Sequence, residues 1–360
     1  MSDRETIEDL MIRADDLPCG EAQVNLLEEA QKLADATHDL DLMFEVRMEL
    51  VDAAIFGGRA ETALAAFSWC LGEFDRETER FDYYLSSLMW RFKNVLLELT
   101  NFTQIPLEQL GEMLDEFEKR FQTYGYSMRT PYYLRCLVAM GVGRREDAEE
   151  HYEQWQRHPR DEMSHCHACE LDSQVDYLLF LGRSEQAAQA AEPILQGEES
   201  CGEIPHRTLA LMLRPLTLLG REEEAAEHQS HGYRIIKDNP EFLPQIAEHL
   251  AFLLSQEQLP AAVAMFERHL SWALKSSNAN GRFLFHAAAG ALMEKLAADG
   301  DQPRKMRLPE RFPLRDPSES YQPSQLAAWF AEQSQKLASL FDARNRNDFY
   351  SRELAAELRY

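Results

Sequence analysis

A short phrase that recurs along the chain constrains its fold more than any other feature of the sequence. The phrase starts with glycine and arginine, continues with two or three polar residues and ends in alanine. It is clear four times, at residues 58–63, 143–148, 182–187 and 220–225. Weaker copies start at 16, 101 and 256, so successive starts are 42, 43, 42, 39, 38 and 36 residues apart. Such regular spacing indicates a repeated structural unit of roughly 40 residues.

Each copy of the phrase is typical of the turn in an αα-hairpin. Glycine can adopt a positive φ at the end of a helix, where a Cβ atom would clash, and the alanine lets the next helix approach closely. Apolar residues at helical spacing precede and follow the phrase, as in residues 175–181 and 187–195. Helix breakers separate the hairpins at 158–160, 196–197 and 238–240. Patterns typical of β-strands are essentially missing, and the sequence therefore predicts an all-α fold.

The glycine–x4–alanine phrase, with a proline after the second helix, resembles the tetratricopeptide-repeat family over about residues 10–275. The resemblance implies a superhelical solenoid of about six to seven αα-hairpins whose first helices line a concave groove. Two features depart from the family. The spacings exceed its usual ~34 residues, and the Trp-x-x-Leu-Gly-x-x-Tyr signature of the first helix is not kept. We therefore expect longer helices or longer loops than in the regular family.

The carboxyl-terminal part of the chain departs from the repeat. We expect a solenoid over residues 1–275, its terminal helix over 276–300, a proline- and arginine-rich extended segment over 301–323, and a helical cap over 324–360. Apolar residues at helical spacing predict a final amphipathic helix over 324–343, and we expect it to cap the solenoid because an end repeat must cover its open face. The basic segment before it can lie on the acidic solenoid, and the alternative is that this whole region recruits a partner.

The charge of the chain favours some partners over others. The formal net charge is -25, with 62 acidic and 37 basic residues. Nucleic acids are disfavoured partners, because their binding depends on lysine and arginine contacts with phosphate. Basic peptides or proteins are favoured by long-range attraction, although the acidity can also act only to keep the protein in solution.

Two features that the sequence lacks, a membrane-spanning segment and a secretory signal, indicate the cellular compartment. No apolar run approaches the ~20 residues of a membrane span, and the first residues lack the features of a secretory signal. Six cysteines are too few for a disulfide framework. We therefore expect a cytoplasmic protein without a membrane partner.

A cysteine-x-x-cysteine turn is the strongest candidate for a chemical site. Cys166 and Cys169 can present two thiolates to one tetrahedral ion, and Cys201 and His206 can complete its coordination. In the repeat register Cys169 and His206 both lie at the start of a first helix, in adjacent hairpins. Packed helices lie about 8–10 Å apart, which is close enough for these side chains to converge.

This pattern predicts one structural zinc ion in a closed site, with His165 or His167 as possible substitutes for one ligand. Two alternatives remain open. The cysteines can be plain reduced thiols, or they can serve a redox role, since a thiol near a helix amino terminus has a lowered pKa.

The resemblance to the family also suggests residues that bind a partner. In its register Asp172 and Asp176 lie on a first helix that faces the groove, with Arg207 and Arg214 beside them on the next first helix. Such residues can clamp the backbone or the charged terminus of a peptide. The alternative is that the acidic and basic side chains pair with each other. Arg91 is a weaker candidate of the same kind.

Sequence motifs for catalysis are missing. Neither of the glycine-rich phosphate-binding patterns occurs, and His-Glu-x-x-His and Gly-x-Ser-x-Gly are absent as well. We therefore expect a non-catalytic scaffold that binds a protein or peptide in its groove. The alternative function is a metal- or redox-responsive regulator that uses the cysteine and histidine cluster.

Overall fold

The computed structural model describes residues 3–18 and 20–357, and this part of the chain is almost entirely helical. The all-α prediction is confirmed. Short 3₁₀ turns occur at Asp82–Tyr84 and Pro240–Phe242. The helices are α1 Asp3–Asp15, α2 Glu21–Thr37, α3 Leu40–Phe56, α4 Ala60–Arg76, α5 Thr78–Phe81, α6 Leu85–Leu99, α7 Leu107–Tyr124, α8 Arg129–Gly141, α9 Arg145–Arg157, α10 His167–Phe180, α11 Ser184–Leu195, α12 His206–Leu211, α13 Leu213–Leu218, α14 Glu222–Ile236, α15 Leu243–Ser255, α16 Leu259–Lys275, α17 Ala279–Ala298, α18 Pro323–Asn345 and α19 Phe349–Glu357.

The recurring phrase marks the turns between successive helices, as predicted. All seven starts fall between two consecutive helices. In the four clear copies the glycine has a φ between 71° and 75°. The arginine that follows donates its backbone N–H to the carbonyl five residues earlier, at 2.7–2.8 Å. This bond closes the end of the first helix in a left-handed turn, so the same local structure forms at each place.

The alanine of each phrase is also used as predicted. Ala63, Ala148, Ala187 and Ala225 are at most 2% exposed, because each lies where the second helix packs on the first. The turn before α16 has the same geometry without glycine. There Glu257 adopts a φ of 55°, and Gln258 donates to the carbonyl of Leu253 at 2.9 Å.

The chain divides into two compact units. Unit 1 comprises residues 1–135 and 151–164, and unit 2 comprises residues 136–150 and 165–360. The core of unit 1 is rich in phenylalanine, with Phe67, Phe92, Phe117 and Phe121 in successive ring contacts. The largest core of unit 2 is built by helices α15 to α18 and the segment before α18. Among the described residues, no helix combines the length and the apolar character needed to cross a membrane.

The segment before α18 is not simply extended. It forms a small hairpin in which β1 (Arg304–Lys305) pairs antiparallel with β2 (Ser320–Tyr321). Met306 and Phe312 within it are 2% exposed and belong to the core of unit 2. One of its arginines, Arg304, pairs with Asp299 at 3.2 Å. The apolar residues between the prolines therefore anchor a segment that the sequence suggested only as basic and extended.

A second helix, α19, follows the predicted final helix and fastens it to the turn between α8 and α9. Asn347 donates from Nδ2 to the carbonyl of Val142 at 2.6 Å, and the Tyr350 hydroxyl donates to the carbonyl of Gly141 at 3.2 Å. The ring of Phe349 covers Gly143, so a Cβ atom there would lie 2.3 Å from Cγ of that ring. All of these residues belong to unit 2.

Replacing the turn glycines by alanine tests this contact. Gly182 has a φ of 73° and open space around it, whereas Gly143 has a φ of 75° and Phe349 against it. We expect Gly182→Ala to lower the free energy of unfolding by roughly 1–2 kcal/mol through backbone strain alone. Gly143→Ala should cost about 1–3 kcal/mol more, since the ring must move. Chemical denaturation measures the free energy of unfolding of both variants. The extra loss of stability in Gly143→Ala should become smaller when Phe349 is also replaced by alanine. Equal losses of stability at the two glycines would contradict the contact between Gly143 and Phe349.

Three histidines lie in the interior of unit 2. His249, His269 and His286 are at most 2% exposed. Burial lowers the pKa of His249 and His286 to about 3 and that of His269 to about 4. The rings of Trp329 and Phe330 lie 5.7 Å from that of His286, centroid to centroid. The folded protein therefore holds these imidazoles in their neutral form.

These histidines should make unit 2 sensitive to mild acid. Below the ordinary histidine pKa of about 6.5 the unfolded chain takes up protons that the folded chain does not, so the free energy of unfolding falls as the pH falls. We expect a loss of roughly 1.4 kcal/mol per histidine at about pH 5.5 relative to neutral pH. Urea unfolding of the wild type and of His286→Phe at several pH values in this range measures the contribution of His286 to the pH dependence, because the other groups titrate alike in both proteins. An identical pH dependence in the two proteins would refute the assignment.

Candidate functional site

The cysteine cluster begins at the amino-terminal end of α10. Cys166 is the residue that precedes the helix, and its sulfur accepts a hydrogen bond from the backbone N–H of Cys169 at 3.4 Å. A residue before a helix can accept such a bond because the first turn leaves N–H groups without helical partners. Both cysteines therefore lie on the same side of the helix start.

The third cysteine comes from the connection between α11 and α12. The backbone N–H of Cys201 donates to the carbonyl of Ile204 at 3.0 Å, which turns this connection back toward α10. The sulfurs of Cys169 and Cys201 lie 3.4 Å apart, and those of Cys166, Cys169 and Cys201 all lie within 4.8 Å of one another. The structure therefore places three of the four ligands predicted from the sequence close together.

The environment of the cluster is apolar on one side and open on the other. Ala168, Ile194 and Ile204 form a small buried group, and Cys169 and Cys201 pack against it half-buried. Cys166 is exposed. Burial, followed by the hydrogen bonds with its two cysteine neighbours, raises the pKa of Cys169. The Cys169 thiol therefore stays protonated until a cation or another partner compensates the charge.

Three sulfurs at this spacing can hold a metal ion. A tetrahedral zinc site with Zn–S bonds of about 2.3 Å places its sulfurs roughly 3.8 Å apart, which falls within the range of the cluster. The cluster contains no carboxylate, and thiolates select soft ions such as zinc or monovalent copper over calcium or magnesium. The amino-terminal end of α10 adds a favourable potential for thiolates.

The structure does not bring the predicted fourth ligand, His206, to this cluster. Its ring stacks on that of Phe242, with centroids 5.3 Å apart and planes 13° from parallel. Burial lowers its pKa. Of the suggested substitutes, His167 lies next to the cluster with its Nδ1 atom 2.9 Å from Oε1 of Glu199, and His165 is half-buried just before Cys166.

The two other cysteines that the structure describes are not part of this group. Cys70 and Cys136 are buried, and burial raises the pKa of each thiol to about 12. Such thiols behave as small apolar residues in a core. Cys19 lies outside the described residues.

The acidic residues predicted to face a groove are turned inward. Asp172 is 1% exposed, accepts a hydrogen bond from the Thr208 hydroxyl at 2.6 Å, and lies 3.4 Å from Nε of Arg207. Asp176 is half-buried, and burial raises its pKa to about 6 while Arg207 opposes the shift. Asp172 and Arg207 thus form the pair that was the alternative in the sequence analysis, and their clamping of a peptide stays a prediction.

The helix expected to carry both Arg207 and Arg214 is divided at Met212 into α12 and α13. Pro215 explains the division, because its ring clashes with the carbonyl four residues earlier, at Leu211. Arg207 therefore lies on α12 beside Asp172, whereas Arg214 lies exposed on α13.

Arg214 lies beside a shallow depression between α13 and α15. Phe252 is buried at the depression, and Leu218 is 70% exposed beside it. Glu248 also lines the depression, so opposite charges accompany an apolar surface. The lining residues are Arg214, Thr217, Leu218, Glu248, Ala251, Phe252 and Ser255. Sequence reasoning named only the arginine; the signal that it missed is Leu218, a leucine on the polar side of a short helix.

Arg91, the weaker candidate, is engaged within unit 1. Its guanidinium donates to the carbonyl of Met48 at 2.8 Å and lies 2.7 Å from the carboxylate of Asp52. Burial raises the pKa of Asp52 to about 6, against the effect of Arg91. These contacts join α3 to α6, and partner binding by Arg91 stays a prediction.

Comparison of the sequence with models of known protein families gave no match, and comparison with curated proteins gave none either.

Proposed function

We propose that this chain is a non-catalytic scaffold: a solenoid of about six to seven αα-hairpins, similar to a tetratricopeptide-repeat superhelix, that binds a protein or peptide. One observation carries the proposal. The same turn, with a left-handed residue and the same backbone hydrogen bond, joins two consecutive helices at residues 58, 143, 182, 220 and 257. Repeated hairpins of this kind stack into long surfaces suited to binding extended partners. The expectation of a cytoplasmic setting belongs to the same proposal.

The depression between α13 and α15 is the place where we expect the partner to bind. Leu218 offers an exposed apolar side chain above the buried Phe252, and covering a leucine contributes about 1.5–3 kcal/mol. Arg214 and Glu248 place charged groups of opposite sign beside this apolar surface. The net charge of -25 attracts a basic partner over a long range and disfavours nucleic acid.

Replacing Leu218 tests this surface. We expect Leu218→Gln to weaken the binding of a basic peptide with one large apolar residue by about 10-fold, because the apolar contact is lost. Leu340→Gln is the matched control, since Leu340 is also an exposed leucine of unit 2, 45% exposed on α18. Fluorescence anisotropy with a panel of basic, acidic and neutral peptides measures the affinities, and binding should weaken with added salt.

Two results would contradict the proposal for this surface. One is equal weakening by the Leu218→Gln and Leu340→Gln replacements. The other is a preference for acidic peptides, which would oppose the role assigned to the charge.

A second function is favoured by the cysteine cluster. We propose that Cys166, Cys169 and Cys201 hold one zinc ion, which fastens the start of α10 to the connection after α11. A metal- or redox-responsive role is consistent with the exposure of Cys166 and with the 3.4 Å between the sulfurs of Cys169 and Cys201. The ion then stabilises the packing of two adjacent hairpins.

Metal analysis tests this second function. We expect about one zinc per chain in protein purified without chelator, and none in Cys166→Ser/Cys169→Ser. The variant should melt at a lower temperature than the zinc-bound wild type and at the same temperature as the wild type stripped by a chelator. Equal melting of all three samples would rule out a stabilising ion.

A further inference from the structure

The cysteine cluster supplies three ligands and leaves a fourth position unfilled by the described chain. Among all histidine, cysteine and carboxylate side chains of the described residues, Cys166, Cys169 and Cys201 form the group whose ligand atoms lie within 4.8 Å of one another. Zinc bound by proteins is almost always four-coordinate in closed structural sites, whereas three protein ligands are typical of sites that take an outside ligand. The number of protein ligands therefore distinguishes a closed structural zinc site from an open one.

The two best imidazoles are each positioned by another contact. His206 is fixed by its parallel stacking on Phe242. His167 is directed toward Glu199, 2.9 Å from its Nδ1 atom. Neither ring belongs to the group of close ligand atoms.

The burial of the sulfurs shows which side is open. Cys169 and Cys201 rest half-buried on the apolar group of Ala168, Ile194 and Ile204, whereas Cys166 is exposed. An ion in contact with all three sulfurs thus has apolar side chains on one side and solvent on the Cys166 side. The exposed Cys166 therefore marks the side from which a ligand in solution would approach the ion.

Charge selects the chemistry of that ligand. Zinc with three thiolates carries a net charge of -1, and Glu199 and Glu203 lie within two residues of Cys201. A fourth thiolate would add another negative charge to this acidic surface, whereas an imidazole adds none and completes a Cys₃His set that zinc commonly uses.

We propose, resting on the zinc site put forward above, that this is an open site in which Cys166, Cys169 and Cys201 hold the ion and an imidazole from outside the chain fills the fourth position. The imidazole comes either from a free small molecule or from a histidine of a second copy of this chain. In both cases the start of α10 is a metal-dependent docking point.

Cobalt(II) in place of zinc makes the coordination visible. The experiment uses the full chain without a polyhistidine tag, because a tag would itself supply imidazole. Cobalt absorption reports the thiolate ligands and the coordination number, and X-ray absorption of the zinc form counts the sulfurs. We expect three sulfurs with one exchangeable oxygen or nitrogen, and a spectral change that saturates with added imidazole but is weaker with a small thiol.

Histidine variants distinguish the open site from a closed one. We expect His165→Gln, His167→Gln and His206→Gln each to keep the zinc affinity of the wild type, measured against a competing chelator. The positive control, Cys201→Ser, should lose at least about 10-fold, the usual effect of disturbing a metal site. Thermal melts check that each variant folds.

Each outcome bears on a different proposal. Zinc that binds but loses at least about 10-fold of its affinity in any of the three histidine variants, or a cobalt spectrum that imidazole leaves unchanged, overturns the open site and keeps the zinc proposal. A stronger response to thiol than to imidazole overturns the choice of ligand. Absence of any zinc binding overturns both.

Sedimentation of the zinc-bound protein, which distinguishes a monomer from a dimer, identifies the source of the imidazole. If another copy of the chain supplies it, zinc produces a dimer in sedimentation that free imidazole dissociates. If a free molecule supplies it, the zinc form stays monomeric while imidazole binds.

Discussion

The backbone hydrogen bond that closes the hairpin turns at residues 58, 143, 182, 220 and 257 is the interaction on which these hairpins depend. The N–H of the residue after the left-handed position reaches the carbonyl five residues earlier, and this ends the first helix at a fixed point. The bond is local, so each of these five hairpins can form it without help from distant parts of the chain, whereas at residue 101 the N–H of Phe102 donates to the carbonyl of Leu99, three residues earlier. With the turn fixed, the alanine that follows in each of the four glycine copies is buried, at Ala63, Ala148, Ala187 and Ala225.

The same constraint explains what could be predicted from the sequence. A left-handed backbone is costly for residues with a Cβ atom, so glycine recurs and the turns become visible. The register placed Cys169 and His206 at the starts of adjacent first helices, with Cys166 and Cys201 close to them in sequence. The three cysteines converge in the structure, whereas His206 does not. Where Glu257 occupies the left-handed position the copy was weak, although the turn is the same.

The repeat register could not predict the directions in which individual side chains point. The turn from Cys201 to Ile204 sends His206 toward Phe242, and Pro215 divides the helix that should have carried Arg207 and Arg214 together. The β-hairpin before α18 was missed because its strands are two residues long and its core contacts come from isolated residues such as Phe312. Repetition thus predicts where elements end, whereas single residues decide which groups meet.

The contacts of α19 bear on the order in which unit 2 is completed. Asn347 and Tyr350 bond to carbonyls that precede them by 205 and 209 residues. At a synthesis rate of about 5–20 residues per second, the turn between α8 and α9 waits roughly 10–40 s before these partners leave the ribosome. Each hairpin can close as soon as it emerges, yet Gly143 stays uncovered by Phe349 until much later. Completion of this unit is therefore paced by translation, although its repeated parts are local.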